Sequence, residues 1–207
     1  CGGLRGMLYK LAAFICRNVL RLIYRVKVEG NNSIDQVKGC IVYANHTCYL
    51  DPVVIGSFIK RQLRFMAKAE LFKTRLLGNL ILRLGAFPVR RGEADLGSVK
   101  TALRLLKNGE VLGIFPEGTR NKSGTFMGAE PGLSMIATKA RVPVIPVAIL
   151  STYRLFSPLR IIIGQPIYLE EHYDKKINME QHREISNSLM IRVMDMLEEA
   201  KMGLKNS

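Results

Sequence analysis

The sequence predicts an α/β fold: a single domain with a mixed, largely parallel sheet flanked by helices. Three observations carry that prediction. Short apolar runs at 40–43, 111–115 and 142–148 have the length and composition of buried strands, and 63–67 reads as a further strand. Segments with helical periodicity, such as Val99, Ala102, Leu103 and Leu106, lie between those runs, and alternation of strand and helix is the pattern of a parallel sheet. The length of 207 residues with 48% hydrophobic content is enough to bury one substantial core but not two. The division expected is an amphipathic element over 1–30 followed by the α/β domain over 31–207.

The first element follows from charge and spacing together. Arg5, Lys10, Arg17, Arg21, Arg25 and Lys27 meet no acidic residue, while Leu4, Met7, Leu8, Leu11, Phe14, Ile15, Val19, Leu22 and Ile23 recur at helical intervals. The uncharged runs fall far short of the roughly 20 apolar residues that a bilayer crossing needs. Such a helix is suited to the interface of an anionic membrane, where each well-placed Lys or Arg adds about 1 kcal/mol. The plainer alternative is a helix packed on the core with a solvated basic side.

The run 40–43 then delivers Asn45-His46-Thr47-Cys48-Tyr49-Leu50-Asp51-Pro52 to the carboxyl end of a buried strand, where reactive groups of open α/β sheets collect. Asp51 is too far along an ideal helix to share a face with His46. A turn through Thr47 and Cys48 into a helix starting near Pro52 would fold the carboxylate back against the imidazole. The two side chains would then be a general base and its orienter. The competing reading is a strand-end histidine and a helix-capping aspartate.

A second basic stretch, from Lys60 to Arg91, has Arg61, Arg64, Lys68, Lys73, Arg75, Arg83 and Arg90 against only Glu70, with Leu76, Leu77, Leu80, Ile81 and Leu84 as an apolar stripe. Arg90 and Arg91 stand between Gly85 and Gly92, where their planar forks suit a phosphate bidentately. Asp95 or Ser98 caps the next helix, and Asn108-Gly109 stops it. The run 111–115 leads directly into Pro116-Glu117-Gly118-Thr119-Arg120, again a polar glycine-bearing loop at a strand end. Late in the chain 160–164 reads as a strand, and Asn178 with Gln181 opens a helix carrying Ile185, Leu189, Val193, Met196 and Leu197 on one side. His172 and His182 are expected to be solvated, and the acids Glu170, Glu171, Asp174, Glu180 and Glu184 to form a negative face turned away from an anionic membrane.

Net charge is +14, from 31 Lys and Arg against 17 Asp and Glu. That charge suits phosphate head groups or nucleic acid equally. With no helix-turn-helix spacing, no zinc finger, no aromatic-rich sheet motif and no tryptophan, a nucleic-acid partner is not expected. The four cysteines form no CxxC pair and have no metal-like spacing to the three histidines, so neither a disulfide framework nor a zinc site is expected. No lipid anchor is expected at Cys1.

Taken together, the 46–51 loop, the 85–92 run with Phe87 and Arg90, and Phe115-Pro116-Glu117-Gly118-Thr119-Arg120 resemble the glycerolipid acyltransferase family that acylates lysophosphatidic acid, with its NHxxxxD and FPEGTR motifs. The apolar, proline-bearing run at 142–148 is similar to that family's fourth block, and the resemblance extends over roughly 41–149. It implies that His46 is the base, Asp51 its partner, and that Arg90, Glu117, Gly118, Thr119 and Arg120 bind the acceptor. Transfer would run from acyl carrier protein or coenzyme A, as cosubstrate thioester, to the sn-2 hydroxyl of 1-acylglycerol 3-phosphate, giving phosphatidic acid at the cytoplasmic face of the cell membrane. No metal or redox cofactor is implied. Cys48 stands where a serine is frequent and Glu130 where many members have a lysine, and a thiol so near the base leaves an acyl-cysteine route open. Glycerol 3-phosphate or another lysophospholipid as acceptor also stays open, as does a non-catalytic protein that uses its basic stretches to bind a membrane surface or nucleic acid.

Overall fold

A computed structural model describes residues 2–30, 33–89, 95–121 and 126–205. In chain order these form α1 (Gly2–Ile23), β1 (Arg25–Gly30), α2 (Ser33–Gln36), β2 (Cys40–Ala44), α3 (Asp51–Phe58), β3 (Leu63–Lys68), a 3₁₀ turn (Ala69–Lys73) and α4 (Arg75–Arg83). They continue with β4 (Phe87–Val89), α5 (Leu96–Lys107), β5 (Val111–Ile114), α6 (Gly132–Ala140), β6 (Val144–Ser151), β7 (Pro158–Ile163), a second 3₁₀ turn (Glu170–His172) and α7 (Met179–Lys205). The seven strands lie in the order β1-β7-β6-β2-β5-β3-β4, and every neighbouring pair is parallel except β6 with β7.

β2 is the central strand, and all five of its residues are buried. Its alternating side chains belong to two different apolar layers. Ile41 and Tyr43 pack in one layer with Leu106 of α5, Ile136 of α6 and Met190 of α7. Cys40, Val42 and Ala44 pack in the other with Leu20 of α1 and Val54 and Ile55 of α3. Register then decides where the site can form. Tyr43 pairs with Ile114 of β5 and Ala44 with Val147 of β6, so the three parallel strands release their following loops on the same edge of the sheet.

Local chemistry fixes the helix ends as the sequence implies. Asp95 is the N-cap of α5 and accepts a bond from the Ser98 N–H at 2.9 Å. Before α7, Asn178 and Gln181 bond each other's backbone N–H groups reciprocally, each at 2.9 Å.

Three features depart from the sequence reading. The boundary expected after residue 30 falls beyond β1, which lies in the sheet beside β7; the helix ends at Ile23. His182 is not solvated: it is only 7% exposed, between α6 and α7, where its Nδ1 lies 3.0 Å from the Ser134 Oγ. Burial, with Lys139 and His172 adding to it, holds its imidazole below the ordinary value. The basic stretch is not all available to a ligand, because Arg61 donates to four backbone carbonyls, of Ile34, Val37, Lys38 and Gly109, and Arg64 pairs with Glu110 at 2.5 Å.

The amphipathic helix read from the sequence is present as α1. It is fastened to the core through Tyr9, whose hydroxyl donates to the Gly56 carbonyl at 3.0 Å and accepts from the Leu63 N–H at 3.2 Å, and through Arg17, which donates to the Ser57 carbonyl at 2.7 Å. The apolar stripe of the sequence lies on the other side of the helix and faces outward: Met7, Leu11, Ile15, Phe14 (63% exposed) and Leu22 (76%). α4 presents Leu76 (87% exposed), Leu77 and Leu80 in the same way.

Candidate active site

The site is assembled from three strand ends. Past β2, Asn45 is buried and bonds β6 in both directions, its Nδ2 donating to the Ile149 carbonyl at 3.0 Å and its Oδ1 accepting from the Ile149 N–H at 2.8 Å. His46 therefore leaves the sheet from a fixed point. Five residues later Asp51 opens α3, with a proline in its first turn, where its fixed φ suits a helix start.

Asp51 is fully buried, and donors converge on both of its oxygens. Oδ2 accepts from the backbone N–H groups of Thr47 and Cys48, each at 2.7 Å, and lies 2.9 Å from the His46 Nδ1. Oδ1 accepts from the Tyr153 hydroxyl, which enters from the loop after β6. A buried carboxylate is tolerated only when its lone pairs are so occupied. With Nδ1–H donated to Asp51, the neutral imidazole keeps Nε2 as an acceptor.

The imidazole plane is also set by stacking. The Phe115 ring lies 4.3 Å from that of His46 at an interplanar angle of 24°, and Phe65 stacks on Phe115 in turn at 5.8 Å. The neighbouring strand makes room for this column at Gly113, the register partner of Phe65, where a Cβ would come within 2.5 Å of the Phe65 ring.

The loop after β5 is stitched to the His46 loop by two bonds. The His46 N–H donates to Glu117 Oε1 at 2.9 Å, and the Asn121 N–H donates to the His46 carbonyl at 2.7 Å. Gly118 has a φ of +66°, in the left-handed region, which lets the chain turn with its N–H on the Phe115 carbonyl at 3.1 Å. Arg120 places its guanidinium over the Tyr49 ring, 3.4 Å from the centroid. Beside this cluster is an open cleft of about 520 Å³ lined in part by Glu117, Thr119, Arg120, Asn121, Glu130 and Arg183.

Of the residues singled out from sequence, His46, Asp51, Glu117, Gly118, Thr119 and Arg120 are thus gathered on one edge of the sheet. Arg90, with Arg91 and Gly92, lies outside the described residues. The Cys48 N–H serves Asp51, and Glu130, left outside the site by the sequence reading, lines the cleft. Asn45 and Phe115 stand in the quoted motifs without an assigned role, and Tyr153 was not singled out. The signal for Tyr153 was its place two residues beyond β6, at the same edge as His46.

The acyltransferase family model matches residues 25–150, from the start of β1 to within β6. The chain belongs to the acyltransferase family. It is 32% identical over 167 residues to the 1-acyl-sn-glycerol-3-phosphate acyltransferase of Bacillus subtilis, covering 78% of this chain and 83% of that relative. The enzyme of that name from Streptococcus pneumoniae is 31% identical, over 81% of this chain and 64% of its own length. The chloroplastic one from Brassica napus is 27% identical, over 70% of this chain but only 46% of its own length, so the chain spans less than two thirds of these two relatives. Among solved structures, the 1-acyl-sn-glycerophosphate acyltransferase PlsC of Thermotoga maritima superposes with a TM-score of 0.75 at 28% identity, covering 95% of this chain and 81% of that one. The family match ends before Tyr153, so this contact to Asp51 lies outside the matched span.

Proposed function

We propose that this acyltransferase moves a fatty acyl group from a thioester of acyl carrier protein or coenzyme A to the sn-2 hydroxyl of 1-acyl-sn-glycerol 3-phosphate, with His46 as general base and Asp51 as its orienting partner. The observation that carries the reading is the imidazole held by its Nδ1 on a fully buried carboxylate, next to a cleft that contains Arg120. The names of the relatives supply the substrate class.

In this mechanism Nε2 accepts the proton of the acceptor hydroxyl as its oxygen bonds to the thioester carbonyl carbon. Asp51 stabilises the imidazolium that forms. When the tetrahedral intermediate collapses, the carbon–sulfur bond breaks and the imidazolium returns its proton to the departing thiolate. The products are phosphatidic acid and a free thiol. No metal or redox group is assigned a step, since a thioester already contains its leaving group and the protein has only to supply a base, a position and charge compensation. Arg120 takes the acceptor phosphate, its fork replacing water on the dianion. Glu117 acts through its bond to the His46 N–H, and Gly118 and Thr119 shape the approach.

The outward stripe of α1, flanked by Lys10 and Arg21, with the exposed leucines of α4, would rest on the anionic cytoplasmic face of the cell membrane, where the acceptor resides. Among the described residues no helix is long and apolar enough to cross a membrane, and a monotopic attachment is consistent with that. The test is an acceptor panel with labelled acyl thioester and purified protein. Transfer to lysophosphatidic acid, and much less to glycerol 3-phosphate or neutral lysolipids, is expected. His46→Ala should lower turnover by roughly 10² to 10⁴ while the protein stays folded. Transfer to none of the acceptors, or near-normal turnover in folded His46→Ala, would overturn the reading.

A further inference from the structure

The Asp51 carboxylate has two ends, and the family motif accounts for only one of them. Oδ2 is occupied by the His46 ring and by the N–H groups of its own loop. Oδ1 is held by a residue that approaches from 102 positions away in sequence. We propose that Tyr153 is a positioning residue for the reaction: its hydroxyl locks the Asp51 carboxylate against rotation, and through it fixes the direction in which His46 presents Nε2. The inference rests on His46 being the base.

Three geometric observations support it. Tyr153 has a φ of +54°, in the left-handed region that side-chain-bearing residues rarely adopt; outliers of this kind persist where the surroundings demand them. Its own N–H donates to the Ser151 Oγ at 3.0 Å, which ties the strained residue to the end of β6. Its ring meets Tyr24 edge to face, with centroids 5.9 Å apart at 88°, so the phenol is aimed by packing as well as by its bond. Burial, reinforced by the Asp51 charge, pushes the phenol far above its ordinary value, so the hydroxyl is a donor throughout any working pH range. Without the Tyr153 hydroxyl the buried Oδ1 would lose this donor and the plane of the carboxylate would be set by the Oδ2 contacts alone, so the imidazole that depends on it would be aimed less narrowly.

Tyr153→Phe tests this, because it removes the hydroxyl and keeps the ring against Tyr24. A hydrogen bond to a charged group is worth about 1.5–3 kcal/mol, so kcat should fall about tenfold or more. The KM values for lysophosphatidic acid and for the thioester should stay within about twofold, and the protein should remain folded by circular dichroism. Tyr153→Ala should lower kcat similarly and lower Tm further, since it also removes the ring. Parental kcat in folded Tyr153→Phe, while His46→Ala is slow, would overturn the inference and leave the base intact. A loss expressed in KM with kcat retained would also overturn it. Near-parental turnover in His46→Ala would instead remove the reading on which it stands.

Discussion

Gly113→Ala is a small perturbation aimed at the column of rings behind the histidine. The added methyl would sit 2.5 Å from the Phe65 ring, with two further ring carbons at 2.6 and 3.1 Å. Ordinary carbon contacts are about 3.5–4.0 Å, so the ring must retreat by about 1 Å. Phe65 stacks on Phe115 and Phe115 on His46, and a retreat of that size is passed along a close-packed stack rather than absorbed. Overpacking of this kind costs about 1–3 kcal/mol of stability. A misplacement of about 1 Å at a reacting group can cost about 10²-fold in rate. The assay is kcat with lysophosphatidic acid and acyl thioester, measured beside the urea midpoint of the same preparation. The second variant, Gly113→Ala with Phe65→Leu, gives the methyl a smaller neighbour and should recover part of the loss. Parental kcat in a folded Gly113→Ala protein would show that the stack does not aim His46, and Asp51 alone would then have to do so.

The other predictions follow from contacts already described. Arg120→Ala should raise the acceptor KM by roughly 30-fold, about 2 kcal/mol, and leave the thioester KM nearly unchanged, whereas Arg120→Lys should fall between because it keeps charge but loses the fork; equal effects on both KM values would assign Arg120 a structural role. Phe14→Glu with Leu22→Glu alters only outward-facing positions of α1, so it should weaken co-sedimentation with anionic vesicles at unchanged Tm; undiminished vesicle binding would move the membrane contact elsewhere. The buried His182 has a folded value below its ordinary 6.5, so the unfolded chain binds the proton first as pH falls. Its contribution to stability is therefore complete above about pH 6.5 and is lost as pH drops from there through the lower folded value. His182→Gln should flatten the urea midpoint over that window, and a profile identical to the parent's would exclude His182 as the titrating group.

What the sequence made legible is what depends on near neighbours. Buried strands stand out as apolar runs, helix caps as Asp95 and the Asn178–Gln181 pair, and the approach of Asp51 to His46 follows from a short turn into a helix that begins with Asp-Pro. What it hid depends on distant partners. Nothing near Arg61 in sequence tells that its guanidinium closes four carbonyls from two other segments, so it read as one more charge in a basic stretch. Tyr153 meets Asp51 only because β6 lies beside β2 in a particular register, and register between strands a hundred residues apart is invisible before the fold is known. His182 is a different case. It lies three residues before Ile185 and seven before Leu189, on the buried face of α7, so the helical period that identified those two contained the signal for the histidine as well. Polarity of residue type was allowed to outweigh position.

The direction of the α1 stripe has a consequence for how the proposed membrane contact and the proposed chemistry would be joined. A helix that offered its apolar stripe to the core would leave little to hold it at a lipid surface; here the stripe is free because Tyr9, Leu20 and Arg17 do the docking from the opposite side. The element they dock on is α3, through the carbonyls of Gly56 and Ser57 near its C-terminal end. Asp51 is the first residue of the same short helix. Tyr24, just past α1, also packs edge to face against the ring of Tyr153. The surface proposed to rest on lipid and the carboxylate proposed to orient the base are therefore linked by one helix of eight residues and by one aromatic pair. Packed elements of this size move as units. An acceptor presented at a fixed depth by the bilayer would then meet His46 at a fixed height, with no need for a flexible arm to find it.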